Sequence, residues 1–113
     1  FIEGSPIHVS DIQGRSQAVL CTGFPSRFDF SSESMIAFLE MPAAYAKVRM
    51  LGAASLSLLH VARGTADAYT EQDIMIWDVA AGLALIEGAG GNISVLPGRF
   101  QNAHNIFASN GLI

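Results

Sequence analysis

The 113 residues carry six basic and ten acidic side chains, a formal net charge of −4, with half of the residues hydrophobic and 14% charged. The basic residues Arg15, Arg27, Lys47, Arg49, Arg63 and Arg99 are scattered, which excludes the basic stripe that a nucleic-acid partner requires. One cysteine, Cys21, excludes an internal disulfide framework and fits a reducing compartment, so the cytoplasm is expected, and no run of 18 apolar residues free of charge and glycine predicts a membrane span.

In chain order, the opening "FIEGSPIHVS" reads as strand and turn from the middle of a domain. "SQAVLCTGF" reads as a buried strand, because Ala18 to Cys21 is continuously apolar and Gly23 and Pro25 close it. "FSSESMIAFLEM" predicts a helix with Ser31 or Ser32 as N-cap and an apolar face of Met35, Ile36, Phe38 and Leu39. Pro42 ends it, since proline disfavours helical geometry in the residue before it. "KVRML" is a short strand, and "GAASLSLLHVARG" is a second helix stopped at Gly64. "ADAYTE" alternates as a strand, "WDVAAGLALIEGAGG" is a third helix, and "NISVL" and "NIFASN" are strands. Strands and helices alternate, and the last two helices are apolar nearly all round. The expectation is an α/β layered architecture, a mixed sheet flanked by buried helices. So much apolar residue in a short chain suits a piece that packs against something further, and residues 1–113 are expected to be one domain excerpted from a longer protein.

The carboxylate at the head of the third helix, Asp78, admits two readings. It is either an N-cap, accepting from an orphan backbone N–H, or a ligand for a hard cation such as magnesium. Ala80, Ala81, Gly82, Ala84 and Gly88 leave little bulk behind it, so another element can approach closely. Gly82 costs about 1 kcal/mol in a helix relative to alanine, which points to a packing purpose. Asp67 and Asp73 read as turn or surface residues. His8, His60 and His104 have no metal-ligand spacing, and His60, inside an apolar helix, reads as a satisfied core residue.

"WDVAAGLALIEGAGG" resembles the C-terminal signature of the inositol monophosphatase family: Trp-Asp, two small or apolar residues, Ala-Gly, an apolar run, then a glutamate followed by small residues. Upstream, "GAASLSLLHVARGTADAYTE" is similar to the family's small-residue helix start, its Val-Ala-x-Gly turn and its Asp-(Ala/Gly)-Tyr-x-Glu strand, with matching order and spacing from Arg49 to Gly91. Weaker similarity runs from "SPIHVS" to "NIFASNG". The resemblance implies the C-terminal α/β half of the inositol monophosphatase and fructose bisphosphatase-like fold, without the N-terminal half that carries the other metal carboxylates. It implies magnesium-dependent hydrolysis of a phosphate monoester by the complete protein, with the isolated segment inactive. Asp78 would be a metal ligand and Trp77 a core packing residue that sets its direction. Gly52, Ala53, Ala54 and Glu71 would contact the alcohol moiety of a small-molecule substrate, although Gly52 reads equally as the pivot of a tight strand-to-helix turn. Arg49, just before that turn, would help admit an anion. The partners implied are the missing N-terminal half and, as in relatives, a second copy in a homodimer. Fructose bisphosphatase, histidinol phosphatase and phosphoadenosine bisphosphate phosphatase share the metal helix and stand as alternatives, as does a non-catalytic oligomerisation or regulatory fragment.

Overall fold

The computed structural model describes residues 6–25 and 28–113. Five strands, β1 (Val19–Thr22), β2 (Lys47–Arg49), β3 (Ala68–Met75), β4 (Asn92–Pro97) and β5 (Ala103–Ser109), form one mixed sheet in the order β2-β1-β3-β5-β4. The helices are α1 (Ser32–Leu39), α2 (Ala54–Ala62) and α3 (Ala80–Gly88). β1 runs parallel to β2 and to β3, and the crossovers such pairing needs run through α1 and then α2. β3, β5 and β4 pair antiparallel, the last two as a hairpin. The mixed sheet with flanking helices expected from the sequence is therefore present.

The two apolar helices are not buried all round. Both lie on one face of the sheet, where Leu58, Val61, Leu83 and Ile86 join Cys21, Tyr69 and Ile106 in the main core. Each fully buried aliphatic side chain there contributes about 1.5–3 kcal/mol. Their outer sides leave Leu56 and Leu85 exposed. Gly82 has the packing purpose expected of it: a Cβ on Gly82 would lie 2.5 Å from Leu58 Cδ1, so α2 and α3 approach more closely than any larger residue permits. The opposite face carries a smaller cluster of Ala18, Leu20, Tyr45 and Ala68, with Ile12, Phe107 and Ile113 against it.

α1 begins as expected, with Ser31 Oγ accepting from the Ser34 N–H at 3.3 Å, and Pro42 opens a separate turn. Its apolar face does not enter the core, however. No residue of α1 is buried; the Phe38 ring packs against Phe24, tilted, and edge-on to Phe28, at centroid distances of 4.9 and 5.6 Å, while Ile36 and Leu39 face outward. The strand expected at the start falls partly on residues 1–5, outside the described residues, and residues 6–10 form no strand. Val9 instead donates its N–H to the Ala89 carbonyl at 3.1 Å and buries its side chain beneath α3. At the end of α2, Gly64 adopts φ +79°, the left-handed geometry that a helix stop needs.

Asp67 and Asp73 are buried rather than at the surface. Asp67 accepts from the Ser10 hydroxyl at 2.5 Å and from the Val19 N–H at 2.7 Å. Asp73 lies in a β-bulge: Glu71 pairs with Ile106 and Ile74 with His104, which leaves one extra residue on β3. Asp73 takes φ +53°, accepts from the Arg99 N–H at 2.7 Å and the Arg99 Nε at 2.8 Å, and donates its own N–H to Asn105 Oδ1. Aspartate tolerates that backbone because its short side chain bonds locally. Simple alternation from Tyr69 and Glu71 would turn Asp73 toward the helices; the bulge puts Ile74 in that core instead.

Candidate functional site

An open cleft of about 580 Å³ lies beyond the carboxyl ends of β1 and β2 and alongside the second half of β3. This is where open α/β sheets place ligands, because the loops leaving parallel strands diverge there. Gly52, Ala53, Ala54, Glu71 and Asp78, the five residues singled out from the sequence, all line it. They come from the β2–α2 turn, the middle of β3 and the turn before α3. Arg49 is exposed at the end of β2 and does not line the cleft.

The β2–α2 turn owes its shape to Gly52, whose φ of +80° reverses the chain and whose absent side chain faces open space. Gly52 is thus the pivot of the turn and also lines the cleft. Ala53 caps α2 without a side-chain hydrogen bond, and the first intrahelical bond runs from the Ser57 N–H to the Ala53 carbonyl at 3.1 Å. The N–H groups of Ala54, Ser55 and Leu56 therefore have no acceptor within the helix, and the helix start carries partial positive charge. Ser57, which sequence reading passed over, also lines the cleft.

Asp78 ends a single tight turn, Ile76–Asp78, and the N-cap of α3 is Val79. The capping alternative is therefore not adopted: the extra turn puts Asp78 one residue ahead of the cap, and its carboxylate makes no hydrogen bond to a described residue. Both oxygens remain free, close to the positive end of α3. Trp77 corrects the expectation of a core residue. It is 64% exposed, so no described residue covers most of it.

Glu71 is half-buried, and three neighbours define it. The Tyr69 hydroxyl, at the end of a fully buried ring, donates to Glu71 Oε1 at 3.1 Å. Gly23 stands on another side, so close that a Cβ there would fall 2.5 Å from the same oxygen. Burial pushes the Glu71 carboxyl up; the Tyr69 bond pulls it down, and the negative charge of Asp78 raises it further. Burial, with the charge of Glu71, also holds the Tyr69 phenol well above its usual range, so that it remains a donor. Sequence reading gave no role to Tyr69 or Gly23. The signal for Tyr69 was present, since residues two apart in a strand share a face. Gly23 read only as a strand terminator.

Two unequal carboxylates that repel across a cleft, with unpaired helix N–H groups between neighbouring elements, can bind a cation and the oxygens of an anionic ester together. Among the described residues no three His, Cys, Asp or Glu side chains converge as a metal-binding group. His60, which is half-buried rather than in the core, bonds Thr65 Oγ1 through Nδ1 at 2.7 Å.

Comparison with known proteins identifies the family. The family model described as the inositol monophosphatase family matches residues 1–113. The phosphatase IMPL1 of Arabidopsis thaliana is 36% identical over 113 residues, covering 97% of this chain and 30% of that protein. A protein of Thermotoga maritima named fructose-1,6-bisphosphatase/inositol-1-monophosphatase is 35% identical over 116 residues, covering all of this chain and 43% of its own length. The structure of an inositol monophosphatase from Anabaena (Nostoc) sp. PCC 7120 superposes with a TM-score of 0.82 at 35% identity, covering 97% of this chain and 45% of that one. The chain thus spans less than half the length of these relatives. It belongs to the inositol monophosphatase family.

Proposed function

We propose that the complete protein is a magnesium-dependent phosphomonoesterase of inositol monophosphatase type, and that this chain is its C-terminal half. In this reading Asp78 is a metal ligand, and Glu71, Gly52, Ala53 and Ala54 hold the alcohol from which the phosphate is removed. The observation that carries the reading is the unpaired Asp78 carboxylate facing the same cleft as the other four residues. Its free oxygens fit a hard cation, while a single carboxylate leaves the rest of such an ion's shell to ligands elsewhere. Bound magnesium would supply charge to the phosphoryl oxygens and acidity to a water molecule. The chain's own residues do the selecting. The first-turn N–H groups of α2 face substrate oxygens, and Glu71 accepts from a substrate hydroxyl.

The same reading makes the isolated segment inactive and places the missing half against the apolar side chains left uncovered around the cleft, Trp77, Met50 and Leu51 among them. A cytoplasmic homodimer belongs to it too, supported by the buried free thiol of Cys21 and by the outward Phe30, Ile36 and Leu39. The test is hydrolysis by the full-length protein of inositol monophosphate, fructose bisphosphate, histidinol phosphate and phosphoadenosine phosphate, with magnesium and with chelator. The two-part name of the Thermotoga relative supports including the sugar bisphosphate. Turnover that needs magnesium and favours the inositol ester is the expected result; turnover of any ester that persists under chelator overturns the reading.

A further inference from the structure

A carboxylate that selects a substrate by one hydrogen bond must itself be still. Glutamate has three rotatable bonds, and freezing such a side chain costs about 1.5–2 kcal/mol. If the substrate must do the freezing, that cost is subtracted from binding. In this chain the freezing is done beforehand. β3 sends Tyr69 and Glu71 to the same face, their ladder partners being Ala108 and Ile106. The Tyr69 ring is wholly enclosed among the helix-side core, so its hydroxyl has essentially one position, and that position is 3.1 Å from Glu71 Oε1. Gly23, in the loop after β1, closes the other side, with space for a hydrogen and not for a methyl group. The other carboxylate oxygen, Oε2, makes no hydrogen bond to a described residue.

We propose that the Tyr69 hydroxyl and the bare backbone of Gly23 form a socket that fixes the Glu71 carboxylate by one oxygen and presents the other to a hydroxyl of a polyol phosphate. Tyr69 is then a positioning residue, and Gly23 a specificity-determining position that touches no substrate. The proposal rests on the substrate role of Glu71 given above. It adds the reason why a buried tyrosine ends in a polar atom beneath the cleft. It also explains why the loop opposite has no side chain at the point of closest approach. A hydroxyl-free substrate gains nothing from the socket.

The experiment uses the full-length protein and two esters, inositol monophosphate and p-nitrophenyl phosphate, whose leaving group carries no free hydroxyl. The quantity read is the ratio of kcat/KM for the first to that for the second. Glu71→Gln should lower this ratio on the order of tenfold, the value of a hydrogen bond to a charged group. Tyr69→Phe and Gly23→Ala should each lower it about threefold to tenfold, mainly through KM of the inositol ester, as expected when a hydrogen bond to a charged group is weakened rather than lost. Gly23→Ala is informative even if Tyr69→Phe does not fold, because the added methyl meets only the carboxylate end of Glu71 and no backbone, so it displaces that carboxylate from the socket without disturbing the fold. The double variant Tyr69→Phe/Glu71→Gln should be no less selective than Glu71→Gln alone, since positioning acts only through the group positioned. If Tyr69→Phe and Gly23→Ala depress both esters alike while Glu71→Gln changes the ratio, the socket is overturned and the substrate role of Glu71 stands. If Glu71→Gln leaves the ratio unchanged, both fall.

Discussion

The two ends of β3 treat acidic side chains in opposite ways. At the start, Asp67 is surrounded: both oxygens accept hydrogen bonds, and the surrounding network continues from Ser10 to Asn110, whose Nδ2 also donates to the Ile12 carbonyl at 2.7 Å. That knot ties a segment before β1 to the residue after β5. Further along, Glu71 in the middle of the strand and Asp78 past its far end share a single hydrogen bond, the one from Tyr69, and the two charges oppose each other. A buried carboxylate with every oxygen matched is a fastening, because its desolvation is offset within the chain. A carboxylate left open beside another is not offset in this way, and the proposed magnesium and substrate would supply what these two lack.

The contrast can be broken most forcefully at Asp78. In the full-length protein Asp78→Asn should lower kcat by more than the roughly hundredfold that losing an outer-shell partner of a metal can cost. Its metal-free stability should stay within about 0.5 kcal/mol of the parent, or rise, since a repelled charge is removed. Near-normal turnover at ordinary magnesium would remove Asp78 as a ligand. Asp67→Ala should do the reverse. It removes the acceptor of two partly buried donors, the Val19 N–H and the Ser10 hydroxyl, and should cost roughly 2 kcal/mol, read as a lowered urea midpoint. The folded enzyme should keep its selectivity between esters. A loss of selectivity without loss of stability would show that the two ends of the strand are not separable in this way.

Much of this was legible beforehand. The apolar runs and the residues that punctuate them located the three α-helices and five strands of the described residues, though the strand expected at the start does not form over residues 6–10, and the small residues of "VAAGLAL" announced the close approach of α3 that Gly82 and Leu58 make. The five cleft residues were marked by motif. What composition could not give was the partner of each acid. Asp67 and Asp73 have the same local look as surface turns, and only contacts 48 and 26 residues distant in sequence reveal that they are interior. Trp77 failed for a related reason: a tryptophan reads as core, but burial depends on which residues pack against it, and among the described residues none covers most of it. Gly23 was invisible because its purpose is the room it leaves for a side chain 48 residues later.

Asp73 sharpens the comparison, for it stands between the two ends and combines their characters. Its carboxylate is buried and matched, like that of Asp67, yet its ionic partner Arg99 is 67% exposed at the side chain. Burial raises the Asp73 carboxyl, but the backbone bond, the side-chain bond and the charge of Arg99 outweigh this and hold it below its usual value. A carboxyl whose folded pKa is depressed adds stability that is present above the unfolded value of about 3.9 and is lost as pH falls through the folded one. Asp73→Asn keeps the left-handed backbone, which asparagine also tolerates, and keeps an acceptor for the Arg99 N–H, so it removes the charge with little strain. With solvent screening on the exposed arginine, the loss at neutral pH should be about 1 kcal/mol, smaller than at Asp67. The gap between parent and variant in urea midpoint should be constant from pH 7 to about 5 and close as pH drops below about 4. A gap that does not change with pH would mean that the bulge is held by hydrogen bonds alone. The ion pair would then be a surface contact that happens to touch a buried acid.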